Sequence, residues 1–388
     1  MIKVPLLDLS MQNGALAEEL TAAFQRVLNS CCFIMGPELE NFEKNSAAFC
    51  EAKHGLGVSS GTDAILLALM ALDIKAGDEV LVPAFTFFAS GGCVARLGAT
   101  PIWVDVDPHT FNIDLADAAQ KVSSRTKAVM PVHLFGQAAD MDAVMSFAKK
   151  YNLRVVEDCA QSIGAKWKGR NVGTFGDFGA FSFFPSKNLG GFGDGGLVTT
   201  SDPDLFQRAR ILRVHGMDPK YYHSYIGANF RMDALQAALL SVKLPHLSGY
   251  NRKRVENAAY YRELLKTHPL VSDNIATAPD SSVILLPCDL SGGEAIWNQF
   301  TLRIRGEGKR NALRAHLVAK NIGCDIYYPL SLDQQVCFQE IGQGGETIKV
   351  SHQLGHEVLS IPVYPELSQA QKETVVEAII EWLNTQKS

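Results

Sequence analysis

Between residues 55 and 200, short unbroken apolar runs of β-prone residues alternate with stretches that carry helical spacing. The runs are Glu79–Val82, Pro101–Val106, Ala128–His133, Arg154–Glu157, Gly179–Phe184 and Leu197–Thr200, with Ala64–Leu72 and Met141–Tyr151 among the helical stretches. A strand that is apolar at every position has both faces buried, and helices between such strands supply the cover. The pattern predicts an α/β fold built on a mostly parallel central sheet with helices on both faces. In such sheets ligands bind beyond the carboxyl ends of the strands, so chemistry is expected there.

After Thr200 longer helical patterns take over, at Met232–Lys243 and Tyr250–Thr267. A Gly/Ser/Pro/Asp-rich stretch, Pro279–Gly293, holds one apolar run at Val283–Leu286. A strand-like Phe300–Arg305, a helix Lys309–Asn321 and a β-prone Cys324–Tyr328 follow, and Ser368 with Gln371 forms a capping-box pattern before the last helix. This texture predicts a large domain over residues 1–244 and a smaller C-terminal α+β domain over 245–388.

Charge narrows the function. Lys and Arg number 36 against 41 Asp and Glu, a net charge of −5 without a basic stripe, which argues against nucleic acid as a partner. No apolar run is long enough to span a membrane, and the N-terminus has no secretory pattern. The eight cysteines fall in no CxxC pair or disulfide spacing, as expected of a cytoplasmic protein. His352 and His356 share the i, i+4 spacing of metal helices but lack the adjacent Glu of metalloproteases, and Gly355 weakens the helix, so no metal is expected.

Three segments carry the chemistry. Ser59-Ser60-Gly61-Thr62-Asp63 precedes an apolar helix, where free N–H groups and the positive dipole end make an anion site or, more simply, a helix cap. Asp158 ends a buried strand, where a carboxylate needs a cationic partner unless it only caps the next helix. Lys187 follows an aromatic strand and precedes a turn with five glycines; a partly desolvated amine there can lose its proton and attack a carbonyl. Anion site, carboxylate and lysine together are what pyridoxal 5'-phosphate requires.

On Ser60-Gly61-Thr62-Asp63, Pro83-Ala84-Phe85-Thr86-Phe87, Glu157-Asp158-Cys159-Ala160-Gln161, Phe184-Pro185-Ser186-Lys187-Asn188-Leu189 and Gly227-Ala228-Asn229-Phe230-Arg231-Met232, the chain resembles the DegT/DnrJ/EryC1/StrS sugar aminotransferases, fold-type I pyridoxal phosphate enzymes. The resemblance runs from Pro5 to Leu367. It implies that Lys187 holds the cofactor and shuttles the proton, with pyridoxamine 5'-phosphate carrying the amine between half-reactions. Asp158 would meet the ring nitrogen, Gln161 the ring hydroxyl, and Gly61, Thr62 and Ser182 the phosphate. Phe87 would stack on the ring, although a core position suits it equally well. Asn229 would reach the phosphate of a second subunit, making a homodimer with shared active sites.

His215, Tyr221, Arg231, Tyr327 and Tyr328 are the substrate-contact candidates, Tyr327-Tyr328 standing where many relatives have His-Tyr; Arg213 lies beside them. Relatives that act as dehydratases carry His at the lysine position, so Lys187 implies transamination. The run Lys187-Asn188-Leu189-Gly190-Gly191-Phe192-Gly193-Asp194-Gly195-Gly196 is closer to relatives that aminate C3 of the sugar than C4. The expected reaction moves an amino group from L-glutamate to a nucleotide-linked 3-keto sugar for polysaccharide, lipid A or glycoside biosynthesis. A UDP-linked 2-acetamido-3-keto sugar comes first and a dTDP-linked 3-keto-6-deoxyhexose second. A 4-keto substrate, a dehydratase and a non-catalytic relative are the rivals.

Overall fold

A computed structural model describes residues 2–273 and 277–386. Seven strands form the large sheet: β1 (His54–Val58), β2 (Glu79–Pro83), β3 (Thr100–Val104), β4 (Thr126–Val129), β5 (Arg154–Asp158), β6 (Phe178–Ser182) and β7 (Gly196–Thr200). Their order is β1-β7-β6-β5-β4-β2-β3. All neighbours pair parallel except β7, which runs against both β1 and β6.

Both faces of the sheet are buried, and consecutive strand residues feed opposite cores. Leu81, Val155, Phe181 and Leu197 point into one core with the helices Pro37–Phe49 and Met141–Tyr151. Val80, Val82, Val156, Ala180 and Val198 point into the other, with Gly61–Ala71, Phe88–Arg96 and Pro203–Leu212. Gly61–Ala71 packs under both other helices of its layer as well as the sheet, which is why it is apolar nearly all round.

Two features of this sheet are absent from the sequence reading. One is β1, whose Gly55 and Gly57 break the apolar run. A Cβ on Gly57 would lie 2.6 Å from Leu39 Cδ1, so the glycines let the helix Pro37–Phe49 pack against the strand. The other is the reversed direction of β7, which follows β6 through a loop without a crossover helix.

A second sheet holds β8 (Val271–Ser272), β9 (Ile284–Leu285), β10 (Phe300–Ile304) and β11 (Val358–Ile361), in that order. The helices Leu247–Leu265, Lys309–Ala319 and Gln369–Asn384 enclose its core through Tyr261, Leu317 and Ile379. Val4 belongs to this core too, paired with Ile322. The expected strand at Cys324–Tyr328 is not formed; only Asp325 bridges to Ser360, and the segment turns toward the large sheet instead. The capping box is present, with Ser368 Oγ accepting from the Gln371 N–H and Gln371 Oε1 from the Ser368 N–H.

Candidate active site

A cavity of about 470 Å³ opens beyond the carboxyl ends of β5 and β6. Asp158 is the last residue of β5, Ser182 the last of β6, and the loop after β6 returns Lys187 to the same space. The helix Gly61–Ala71 enters from β1 with Gly61 and Thr62 at the wall. Phe87, Gln161, Tyr327 and Tyr328 complete the lining, so nine of the residues singled out in the sequence, Ser182 included, meet here. Thr86, Ser186, Asp194 and Gln299 also line the cavity.

The electrostatics follow from burial. Lys187 has its amine drawn down to about 8 by desolvation, which the negative field of Asp158 opposes. Desolvation likewise raises the Asp158 carboxyl, against the pull of Ser90, Ala160, Lys187 and His133. The Ser90 hydroxyl donates to Asp158 Oδ2 at 2.7 Å, and the Ala160 N–H to Oδ1 at 3.1 Å. Asp158 makes no ion pair among the described residues at salt-bridge distance. A positive ring nitrogen placed against it would relieve that burial cost.

Ser60 caps its helix by accepting the Asp63 N–H at 3.0 Å, which leaves the N–H groups of Gly61 and Thr62 without intrahelical acceptors. A Cβ on Gly61 would lie 2.6 Å from Ser182 Cβ, so the helix end and β6 approach as closely as a glycine permits. Gln161 is held at both ends: its Oε1 accepts the Phe135 N–H at 2.6 Å and its Nε2 donates to Tyr328 Oη at 3.1 Å. Phe87 is exposed toward the cavity, its ring 6.1 Å from that of Tyr328, and so is not a core aromatic.

The remaining candidates stand apart. His215, Tyr221 and Asn229 are exposed on the segment between Pro203–Leu212 and Ala234–Lys243, where Tyr222, Tyr225 and Ile226 are exposed too. Arg231 lines a neighbouring cleft of about 380 Å³ that shares Ser60 and Asp194 with the main cavity. Arg213 is buried and committed to Glu43 and to the Gly57 carbonyl, so it is unavailable to a substrate. Ser90 escaped the sequence reading because nothing local marks it; its sole signal is its place one helical turn after Thr86, to which its hydroxyl bonds at 3.1 Å.

His133 and His352 are each engaged by protein partners. His133, Glu157 and Cys159 converge, but Glu157 takes N–H groups from Gly173, Phe175 and Gly176 as well as His133, whose Nδ1 accepts from Ala139. His352 pairs with Asp333 at 2.6 Å. No helix among the described residues is long and apolar enough to cross a membrane.

The DegT/DnrJ/EryC1/StrS aminotransferase family profile matches residues 15–380. The chain belongs to this family. It is 43% identical over 381 residues to a pleiotropic regulatory protein of Geobacillus stearothermophilus, covering 98% of this chain and 99% of that one. It is 42% identical to the dTDP-3-amino-3,6-dideoxy-alpha-D-galactopyranose transaminase of Aneurinibacillus thermoaerophilus, over 97% and 98% of the two chains. It is 41% identical to the UDP-N-acetyl-3-dehydro-alpha-D-glucosamine 3-aminotransferase of Acidithiobacillus ferrooxidans, over 95% of each. The crystal structure of S. venezuelae DesV superposes with a TM-score of 0.91 at 39% identity, over 98% and 99% of the chains.

The enzyme is therefore a pyridoxal phosphate-dependent, fold-type I aminotransferase of the nucleotide-sugar class. Its own residues fit that cofactor: a desolvated amine for the aldehyde, a buried carboxylate for the ring nitrogen, and a helix end narrowed by Gly61 for the phosphate.

Proposed function

We propose that the enzyme moves an amino group from L-glutamate to C3 of a nucleotide-linked keto sugar, with a UDP-linked 2-acetamido-3-keto sugar as the favoured acceptor. A dTDP-linked 3-keto-6-deoxyhexose is the second choice. The observation that carries the reading is Lys187 and Asp158 facing one cavity, each with its charge disfavoured by burial. The choice of C3 is supported by the Gly190–Gly196 turn and by the names of the two transaminase relatives.

The bound cofactor supplies an electron sink for the carbon that loses its proton. Lys187 Nζ is close enough to neutral to take that proton from the amino-bearing carbon and return it elsewhere. Asp158 holds the proton on the ring nitrogen, steadied by Ser90 and Ala160. Gln161, locked by Phe135 and Tyr328, is set to orient the ring hydroxyl. Phe87 offers a ring face, and Tyr327 lies on the wall available to the sugar.

The proposal includes a homodimer in the cytoplasm. The exposed apolar side chains Tyr221, Tyr222, Tyr225 and Ile226 flank the segment bearing Asn229, as suits a surface that a second copy covers while Asn229 enters its cavity. His215, Tyr221 and Arg231 would then meet substrate from across the interface. All eight cysteines are free thiols, in keeping with a reducing compartment.

Absorption spectra with and without L-glutamate test the first half-reaction: the band of the lysine-bound cofactor should bleach. The second is tested in reverse, offering 2-oxoglutarate with UDP-linked and dTDP-linked 3-amino sugars and their 4-amino isomers. Bleaching without glutamate specificity, or faster consumption of a 4-amino sugar, would overturn the assignment.

A further inference from the structure

Beside the cofactor cavity lies a smaller chamber of about 100 Å³. Ser186, Gln299 and Tyr327 line both spaces and form the partition between them. Three side chains of the chamber lining, Arg254, Asn298 and Gln299, carry a buried polar atom that no described protein group meets: Nε, Oδ1 and Oε1 respectively. Arg254 is 4% exposed and Asn298 6%. One other nitrogen of the Arg254 guanidinium, Nη1, donates to the carbonyls of Trp297 and Asn298.

The chemistry of the missing partner can be read from the amides. Asn298 Nδ2 donates to Asn188 Oδ1 at 2.8 Å, and Asn188 Nδ2 donates to Asn251 Oδ1 at 2.7 Å and to the Ile296 carbonyl at 3.3 Å. Asn251 Nδ2 ends the chain on the Ile163 carbonyl at 3.0 Å. Turning any of these amides would set oxygen against oxygen, so Asn298 Oδ1 is fixed as an acceptor. An anion drawn to Arg254 would meet that oxygen unfavourably. Water accepts from Arg254 Nε, donates to Asn298 Oδ1, and can serve the Gln299 amide in either of its orientations. At ~30 Å³ per molecule the chamber has room for about three.

We propose that this chamber is a built water site, and that it supplies the water which amino transfer consumes and takes it back. The supply role rests on the aminotransferase reading above. Releasing the donor as an oxo acid breaks a carbon–nitrogen double bond and makes a carbon–oxygen one; water gives its oxygen to carbon and its two protons to nitrogen. Amination of the sugar ketone runs the exchange backward and frees one water, so the full cycle balances without an oxidant. With a nucleotide sugar filling the entrance of the main cavity, water held beside Tyr327, Ser186 and Gln299 can still approach the reacting carbon from the neighbouring space.

High-resolution diffraction from the holoenzyme is expected to show ordered water within hydrogen-bond distance of Arg254 Nε and Asn298 Oδ1. Empty density, or an anion there, overturns the site. Val363→Ile adds a methylene to the apolar wall of the chamber, and Leu7→Phe fills it from the opposite side should the first variant fold poorly. In a rapid-quench single turnover with L-glutamate, displaced water should slow 2-oxoglutarate release about fivefold or more, while bleaching of the cofactor band changes less than about twofold. Unchanged release in a variant whose crystal structure has lost the water, or equal slowing of both signals, overturns the supply role. If the wild-type band ignores L-glutamate, the functional reading falls and takes the supply role with it, while the diffraction result still decides the site.

Discussion

The Ser90 hydroxyl donates to Asp158 Oδ2 across 68 residues of sequence, joining the helix Phe88–Arg96 to the end of β5. Desolvation raises the Asp158 carboxyl, and this hydroxyl is the largest of the forces that oppose it. Ser90→Ala should therefore push the carboxyl higher and weaken its hold on a protonated ring nitrogen. A hydrogen bond to a charged acceptor contributes about 1.5–3 kcal/mol, so pyridoxal phosphate should bind roughly 10- to 100-fold more weakly. The deficit should grow as pH falls, because the variant loses its ionised carboxylate at a higher pH than the wild type. Equilibrium titration of the apoenzyme with cofactor at several pH values checks both, and equal affinities throughout would remove Ser90 from the site.

Lys187 sets a second pH dependence. Burial draws its amine down to about 8, so the neutral, nucleophilic form grows as pH rises and is mostly reached above that value. The rate at which apoenzyme captures pyridoxal phosphate should climb with pH and level off near 8; a lysine at its ordinary value would still be climbing at pH 9. Stopped-flow absorbance records the profile. Lys187→Ala should keep its fold by circular dichroism and lose turnover, and retained turnover would refute the assignment.

How much of this was legible depends on where the information sits. Strands β2 and β5 could be read because burial on both faces leaves adjacent apolar residues, Val80, Leu81 and Val82 in one and Val155 and Val156 in the other, and Lys187, Asp158 and Gly61 because strand ends and turns carry local signatures. Strand β1 could not, since packing against Leu39 demands glycines that look like turn residues. The segment Cys324–Tyr328 has β-forming side chains, yet it is spent on delivering Tyr327 and Tyr328 to the cavity. Ser90 with Asp158, and Asn188 with Asn298, are contacts between distant stretches with no periodicity to announce them.

Asp105 ties the C-terminal segment to the large sheet. It lies just after β3, and its carboxylate accepts the N–H groups of Lys349, Val350 and Ser351 and the Ser351 hydroxyl, each at 2.7–2.8 Å, at the start of the helix Val350–Glu357. Burial alone would raise its carboxyl, but these donors outweigh it and hold the group below its usual value. A depressed value in the folded chain means the stabilisation is present above the ordinary carboxylate range and is lost as pH falls through the folded value. Asp105→Ala should cost about 2–3 kcal/mol at pH 7, less in acid, read from denaturant midpoints across pH. A constant gap between the two proteins down to pH 3 would show that ionisation of Asp105 is not involved.

Gly61 offers the sharpest test of the phosphate cradle, because two effects of one methyl group oppose each other. Inside a helix, Gly→Ala gains up to about 1 kcal/mol in propensity, so the variant should fold at least adequately. Its Cβ, however, would lie 2.6 Å from Ser182 Cβ, which is fixed to the backbone of β6 and cannot swing aside. The helix end must retreat, carrying the free N–H groups of Gly61 and Thr62 away from where a phosphate would sit. Gly61→Ala should weaken pyridoxal phosphate binding about tenfold or more while leaving the apo melting temperature within a few degrees. Adding Ser182→Gly removes the obstructing carbon together with a hydroxyl, so the double variant should bind more tightly than the two single losses summed. Strict additivity would mean that the close approach of helix and strand does not shape the site.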